Sequence, residues 1–139
     1  MQTEKLQTFF QAYLEGFLNY DLEIIQKCYQ WPCTLNTPDK CVYIKNLDDL
    51  THEFNDIFSQ LKQADTQDIR PLKASFTPLS DNLLLACVDW QFINSQGQVF
   101  TDFSAVYHLL VSGEALKIIN VISHDLSNSI ALSQAFSIE

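Results

Sequence analysis

Basic residues are scarce in this sequence. Eight lysines and arginines stand against seventeen aspartates and glutamates, which gives the chain a formal net charge of −9. No cluster of lysine or arginine offsets this charge, so a polyanion such as DNA or RNA would be repelled. We therefore expect no nucleic acid partner.

Long hydrophobic runs are also missing. Apolar residues make up 47% of the chain, but no stretch is apolar over the ~20 residues that a membrane-spanning helix needs. The N-terminal stretch MQTEKLQTFFQAYLEGF contains Glu4 and Lys5, and it has no uninterrupted apolar core of the kind found in a signal peptide. We expect no membrane association and a cytoplasmic location, where thiols stay reduced.

The few cysteines and histidines do not form the spacings of a metal site. There is no CxxC pair, and there is no HExxH motif, P-loop or Ser/His/Asp arrangement. We therefore expect no metal and no cofactor. The cysteines are expected to be free structural thiols, and the two that flank a predicted hairpin turn fall on opposite faces; the set is Cys28, Cys33, Cys41 and Cys87.

Apolar residues at helical spacing dominate the first third of the chain. The first helix has one wide apolar stripe, made of Leu6, Phe9, Phe10, Tyr13, Leu14, Phe17 and Leu18. Thr3 is expected to cap this helix. A second, short helix from about Leu22 to Gln30 follows Asp21, whose short carboxylate suits an N-cap better than a catalytic role. Pro32 is expected to end it.

A hairpin and a third helix follow. The turn Thr37-Pro38-Asp39-Lys40 divides the stretch CTLNTPDKCVYI into two short strands. The third helix is expected to open at Asn46, and its apolar stripe is Leu50, Phe54, Ile57, Phe58 and Leu61. His52 falls outside that stripe and is expected to be solvated.

From about Ile69 onward the apolar period changes from helical to two. Four strands are predicted, at residues 70–79, 82–93, 98–111 and 115–124, and Pro71 and Pro78 favour an edge or bulged strand for the first. The tail after these strands is compatible with either a helix or an extended segment. No linker or repeat interrupts the chain, so residues 1–139 are expected to form one α+β domain. Its N-terminal helices would pack on one face of a strongly curved antiparallel sheet.

This order of elements resembles the nuclear transport factor 2-like (NTF2-like) superfamily, which includes SnoaL-like polyketide cyclases and ketosteroid isomerases. The resemblance covers roughly residues 5–125 and rests on FFQAYLEGFLNYDLEIIQKCY, YQWP, LLLACVDWQF and ALKIINVIS. It implies a cone with an apolar pocket between helices and sheet, and commonly a dimer. Because this fold hosts enzymes, binding modules and assembly domains, the resemblance alone does not choose among them.

Strand pairing predicts which side chains would line such a pocket. With Asn94 opposite Gly97 and Val111 opposite Leu116, one sheet face is rich in aromatic residues, as a concave ligand-binding face should be. Its candidate ligand-binding residues, with Tyr13 of the first helix, are Trp90, Tyr107, Asn120 and His124. The apolar residues of the other face are expected to form a homodimer interface; they are Val106, Leu110, Ile119 and Val121. A register error of one residue would exchange these faces for a whole strand.

Tyr13 has the most direct functional implication. Aligned without gaps, QAYLEGFLNYDL places Tyr13 on the tyrosine whose hydroxyl donates to the developing oxyanion in the steroid isomerases. The carboxylate base of those enzymes falls on Thr37 here, and a threonine hydroxyl is too weak a base to remove a carbon-bound proton. Tyr13 could therefore orient a ligand, or it could be a core residue with its hydroxyl satisfied.

Two functions stay open at this point. The first is a protein that binds a small hydrophobic or aromatic molecule, with cofactor-free lyase, isomerase or cyclase chemistry of the SnoaL-like type as an extension. The second is a non-enzymatic dimerisation or protein-interaction domain whose cone is filled by its own side chains. A continuous pocket of about 300 Å³ or more favours the first, and a packed interior favours the second.

Overall fold

Three helices and one seven-stranded sheet make up the part of the chain that the computed structural model describes, residues 2–138. The helices are α1 (Gln2–Leu18), α2 (Leu22–Cys28) and α3 (Leu47–Gln63). The strands are β1 (Tyr29–Asn36), β2 (Cys41–Ile44), β3 (Thr66–Ser80), β4 (Leu83–Asn94), β5 (Val99–Ser112), β6 (Ala115–His124) and β7 (Gln134–Phe136). The predicted α+β class is confirmed.

The strands form one open sheet in the order β2-β1-β6-β5-β4-β3-β7. Most neighbours are antiparallel, as predicted, but β1 runs parallel to β6. The sheet is therefore mixed. This pairing joins strands about 85 residues apart in sequence, for example Leu35 with Val121. It attaches the β1–β2 hairpin to the consecutive antiparallel strands β3–β6.

The sheet bends at its bulges. β3 has three irregularities against β4, and two of them lie at Pro71 and Pro78, the two positions expected to be bulged. Further irregularities separate Phe92 from Ile93 on β4 and His108 from Leu109 on β5. Each extra residue bends its strand and increases the local twist, so the sheet wraps around the helices on its inner face.

The stripe of α1 packs into the curve of the sheet. Leu6 and Phe10 are fully buried, and Tyr13 and Leu14 are nearly so, which confirms the first predicted helix. Thr3 lies inside the helix and not at its cap, because α1 already includes Gln2. Helix ends commonly differ by a residue or two from such an expectation.

The start of α2 agrees with the prediction, but its end does not. The Asp21 carboxylate accepts a hydrogen bond of 3.3 Å from the backbone N–H of Ile24, so Asp21 is the N-cap. The helix ends at Cys28, and Pro32 lies within β1 after a cis peptide bond. Tyr29 already pairs with Ile118 of β6, so a tertiary contact ends the helix before the proline is reached.

Replacing Asp21 with alanine should lower the free energy of unfolding by about 1 kcal/mol, because the first turn of α2 loses its side-chain acceptor. Asp21→Asn should recover most of this loss, since its amide oxygen can accept the same bond. Urea denaturation of both variants measures the effect. Equal losses in the two variants would show that the carboxylate's charge, and not the cap, stabilises the helix.

The hairpin and the third helix are confirmed. Cys33 lies opposite Ile44 and Asn36 opposite Cys41, and all four cysteines are free. Asn46 caps α3 by accepting a 2.9 Å hydrogen bond from the N–H of Asp49. The side chain of His52 is 82% exposed, as predicted.

The tail, which the sequence left undecided, crosses the outer face of the sheet. After a short turn at Leu126–Asn128, the Ser129 hydroxyl lies 2.7 and 2.8 Å from the two carboxylate oxygens of buried Asp89. β7 then pairs with β3 at its edge, opposite residues 74–76. Phe136 is thereby buried beside Phe10, with ring centroids 5.9 Å apart.

Candidate functional site

A cavity of about 310 Å³ lies between the inner face of the sheet and helices α1 and α3. Its buried end is aromatic, with less than a tenth of each side chain exposed; the residues there are Tyr13, Tyr29, Phe54, Trp90, Phe92 and Tyr107. Its rim is polar and partly exposed, formed by Asn36, Thr37, Lys40, Glu53, Gln60 and Thr101. The cavity therefore combines an apolar body with polar groups at two ends, as small-molecule sites generally do.

Four polar groups are linked at the buried end. The indole N–H of Trp90 donates to the Tyr107 hydroxyl at 2.9 Å, and the hydroxyls of Tyr13 and Tyr29 are 2.8 Å apart. The rings of Tyr13 and Tyr107 are also in contact, with centroids 5.9 Å apart. These contacts join α1, β1, β4 and β5 around the aromatic end of the cavity.

Counting hydrogens shows that this network has a donor to spare. One indole and three phenols supply four polar hydrogens, because an indole nitrogen only donates and a phenol carries one hydrogen. The two hydrogen bonds within the network use two of these hydrogens, and no further acceptor bonds to these groups among residues 2–138. At least one tyrosine O–H is therefore available to a molecule in the cavity.

Burial keeps these phenols neutral. Removal from water raises the pKa of Tyr13, Tyr29 and Tyr107 well above the ordinary value, because a buried phenolate would lose its hydration. For Tyr107, the hydrogen bond from Trp90 opposes this rise without cancelling it. The three hydroxyls are therefore hydrogen-bond donors and acceptors at neutral pH, and not bases.

These three tyrosines should stay un-ionised in the folded protein well above pH 10, the ordinary value. Above that pH the unfolded chain loses their protons and the folded chain keeps them, so stability falls as the pH rises. Below pH 10 the tyrosines are protonated in both states, so their contribution to the free energy of unfolding is fully present. Phenolate absorbance at each pH measures the ionisation, and the urea-unfolded chain gives the reference signal for all five tyrosines. Urea unfolding at the same pH values measures the stability. Full ionisation with native circular dichroism would contradict the burial of the network.

The structure places three of the five predicted ligand-binding residues at this cavity. Tyr13, Trp90 and Tyr107 all line it. Trp90 pairs with Phe103 and not with Thr101, the partner expected from the predicted turn. The pairing is displaced by two residues, and an even displacement leaves every side chain on its predicted face.

Asn120 and His124 lie on the opposite face, so their predicted position was wrong. The bulge between His108 and Leu109 moves the register of β6 by one residue, so that Tyr107 pairs with Val121. Val121 and Ser123 line the cavity in their place. The amide oxygen of Asn120 accepts from Thr34 and Asn36 of β1 at 2.7 and 2.8 Å, and His124 contacts the carbonyl of Asp125.

Tyr29 and Glu53 are site residues that the sequence reasoning missed. Tyr29 falls within the second predicted helix, whereas it opens β1 and lines the cavity. Glu53 lies three residues after Leu50 and four before Ile57, next to the apolar stripe of α3, and this spacing was the signal for its position. Its carboxylate is 4.0 Å from the Lys40 ammonium.

The turn that corresponds to the isomerase base brings no carboxylate into the cavity. The Thr37 hydroxyl accepts hydrogen bonds from the backbone N–H groups of Asp39 and Lys40, at 3.3 and 3.2 Å. Asp39 is exposed and does not line the cavity. Glu53 is the one carboxylate among the described lining residues.

Other site chemistries have no residues to support them in the described part of the chain. Within residues 2–138, no three histidine, cysteine or acidic side chains group as a metal site would require. Burial raises the pKa of Cys28 to about 12 and that of Cys33 to about 11, so neither forms a reactive thiolate at neutral pH. None of the described helices has the length and apolar character needed to cross a membrane.

Comparison with known families identifies the class of this protein. The sequence profile of the family described as NTF2-like protein (DUF6841) matches residues 3–126. The chain belongs to this family. A search of curated proteins found no match.

Solved structures share the fold. An NTF2-like protein of unknown function from Shewanella oneidensis superposes with a TM-score of 0.73 at 11% identity, over 90% of this chain and all of that one. A putative ketosteroid isomerase from Shewanella frigidimarina gives 0.67 at 11% identity, over 84% and 91%. A cystatin-like domain of unknown function from Nostoc punctiforme gives 0.69 at 11% identity, over 86% and 74%. At such identities the likeness concerns the fold alone.

Proposed function

We propose that this protein binds a small, mostly apolar molecule in the cavity and orients it through an oxygen acceptor on that molecule. The observation that carries the proposal is the spare tyrosine O–H at the buried end. An unpaired buried donor costs free energy, and a ligand carbonyl, ether or phenol oxygen would remove that cost. The surrounding aromatic rings would contact the ligand's apolar body.

The size of the cavity supports the same proposal. At about 310 Å³, it reaches the lower end of the ~300–1,000 Å³ range of small-molecule sites. The alternative of an interaction domain with a filled cone requires a packed interior. Side chains instead leave this volume between Tyr13, Trp90 and Ile57.

The donor would also serve a cofactor-free reaction. A neutral phenol that donates to a carbonyl stabilises negative charge developing on that oxygen, which is the requirement of isomerase, lyase and cyclase chemistry of the SnoaL-like type. Such a reaction needs a base as well. Thr37 does not supply one, and the lining carboxylate, Glu53, lies at the rim beside Lys40. Binding is therefore the function that we propose, with catalysis as its extension.

Naphthol tests the proposal, because its bicyclic body is apolar and its oxygen accepts hydrogen bonds. It should bind by calorimetry and raise the melting temperature through mass action. Naphthalene has the same body without the oxygen and should bind more weakly. Absence of both a heat of binding and a thermal shift for naphthol would overturn the proposal.

We also propose that the protein is a homodimer formed through the outer face of the sheet. Half-buried Val106, Leu110 and Ile119 lie on that face, and Ile122 is 44% exposed. Val121 does not belong to this patch, because the β6 register turns it into the cavity. Ile122 takes its place. A second copy would cover this apolar surface through a two-fold axis.

Val106→Asp should convert such a dimer to a monomer, because the substitution buries an unpaired carboxylate in the interface. Light scattering at micromolar concentration measures the mass. Leu79→Asp is the matched control, since Leu79 is 54% exposed on β3 and lies outside the patch. A wild-type protein that is already monomeric would contradict the proposed interface.

A further inference from the structure

We propose that Glu53 is a second recognition point in the cavity and that the ligand carries a cationic group, such as an ammonium, beside its apolar body. This inference rests on the proposed ligand-binding function and specifies the class of ligand. The spare tyrosine O–H at the buried end would donate a hydrogen bond to the ligand's oxygen, and Glu53 at the rim would bind its cationic group.

The Glu53 carboxylate lacks the partners that its burial calls for. Its side chain lines the cavity and is only 16% exposed. Its one polar contact among residues 2–138 is the Lys40 ammonium at 4.0 Å, and it accepts no hydrogen bond there. A carboxylate withdrawn from water is normally paired and hydrogen-bonded. A ligand ammonium at about 2.8 Å would provide a charge-assisted hydrogen bond that Lys40 does not.

Lys40 is placed so that a ligand could displace it. Its side chain is 62% exposed and extends from the turn between β1 and β2. The N···O separation of 4.0 Å is too long for a hydrogen bond. Because the Lys40 ammonium is exposed, water and salt screen the pair, and it contributes little. Lys40 can therefore turn into solvent and leave Glu53 to the ligand.

The charges at the rim favour a cation over an anion. Lys40 and Glu53 are the charged residues among the described cavity lining, and Glu53 is the more withdrawn from water of the two. An anionic ligand at Lys40 would lie against this carboxylate. The net charge of −9 also attracts cations to the protein and repels anions.

A matched series of ligands tests the inference. Tyramine, tyrosol and phloretic acid share a phenol and a short side chain, which ends in an ammonium, a hydroxyl and a carboxylate respectively. At constant ionic strength, calorimetry should give the order tyramine, then tyrosol, then phloretic acid. We expect Glu53→Gln to weaken tyramine by about tenfold or more and to leave tyrosol nearly unchanged.

Asp56→Asn is the matched control variant. It removes the same charge from the same helix, but Asp56 is 61% exposed and does not line the cavity. A general effect of net charge would weaken tyramine in both variants, whereas recognition by Glu53 weakens it in Glu53→Gln alone. Equal losses in the two variants would therefore overturn the inference.

The remaining outcomes separate this inference from the proposed function. If phloretic acid binds best and Lys40→Met abolishes its binding, the rim recognises anions and the role of Glu53 is wrong. If the three compounds bind equally, the cavity binds ligands but Glu53 selects none. If neither the series nor naphthol binds, the proposed function fails together with the inference.

Discussion

Phe10→Ala should lower the free energy of unfolding by about 3–5 kcal/mol, the usual cost of removing a buried phenylalanine ring. Phe10 is fully buried at the point where α1 meets the sheet and the tail. Its ring contacts Tyr107 edge-on with centroids 5.0 Å apart, and it lies 5.9 Å from Phe136. The substitution would leave a void beside the tyrosine network and remove these contacts, and domains of this kind have only ~5–15 kcal/mol in total.

Urea denaturation measures this loss, and Phe100→Ala is the control. Phe100 is 36% exposed and has one ring contact among the described residues, with Phe92 at 6.2 Å. Removing the Phe100 ring should therefore lower the free energy of unfolding much less. The loss for Phe10→Leu should lie between those for Phe10→Ala and Phe100→Ala. Similar losses for Phe10→Ala and Phe100→Ala would show that α1 does not carry the core.

Val121→Trp should abolish binding of naphthol in the cavity, with an affinity loss of about a hundredfold or more. Val121 is buried and lines the cavity, so an indole in its place would occupy the space that the ligand needs. Calorimetry measures the loss, and circular dichroism verifies that the variant remains folded, since overpacking can also destabilise a core.

Ile122→Trp is the matched control for this variant. Ile122 is the next residue along β6, and its side chain lies on the outer face, 44% exposed. The Ile122→Trp variant should bind naphthol with the affinity of the wild type. The reverse result, with binding lost in Ile122→Trp and kept in Val121→Trp, would restore the register that places Asn120 and His124 in the cavity.

Local patterns in the sequence were enough to predict the helices and most of the strands. The stripes of α1 and α3 repeat at three- and four-residue steps, and Asp21 and Asn46 occupy the N-caps as expected. These features depend on residues close in sequence, where periodicity and capping act. The inner position of Tyr13 followed from the same stripe.

The errors arose where distant segments decide the outcome. The bulge in β6 adds one residue without a proline or glycine to mark it, and KIINVISH has apolar residues at both odd and even positions. The hydrophobic pattern of β6 therefore does not fix its register. The parallel pairing of β1 with β6 likewise depends on segments about 85 residues apart, and it places Tyr29 and Pro32 in a strand.

Glu53 was missed for a related reason. A glutamate within a helix is usually solvated, and its spacing from Leu50 and Ile57 places it beside the apolar stripe without showing that it lines a cavity. Its partner Lys40 comes from the distant β1–β2 turn, which meets α3 at the rim of the cavity. The polar end of the site is thus a property of the tertiary structure, whereas its aromatic end follows from the apolar stripes.

The most direct test of the central claim, that a ligand binds against the tyrosine network, is a nitrogen-15 NMR titration with naphthol. The chain has two tryptophans and so gives two indole N–H signals, which Trp90→Phe assigns. Trp90 donates to Tyr107 inside the cavity, whereas Trp31 does not line it. The Trp90 signal should move in a saturable way while that of Trp31 stays in place. The claim would be contradicted if naphthol binds and the Trp90 signal does not move. It would also be contradicted if naphthol does not bind at all.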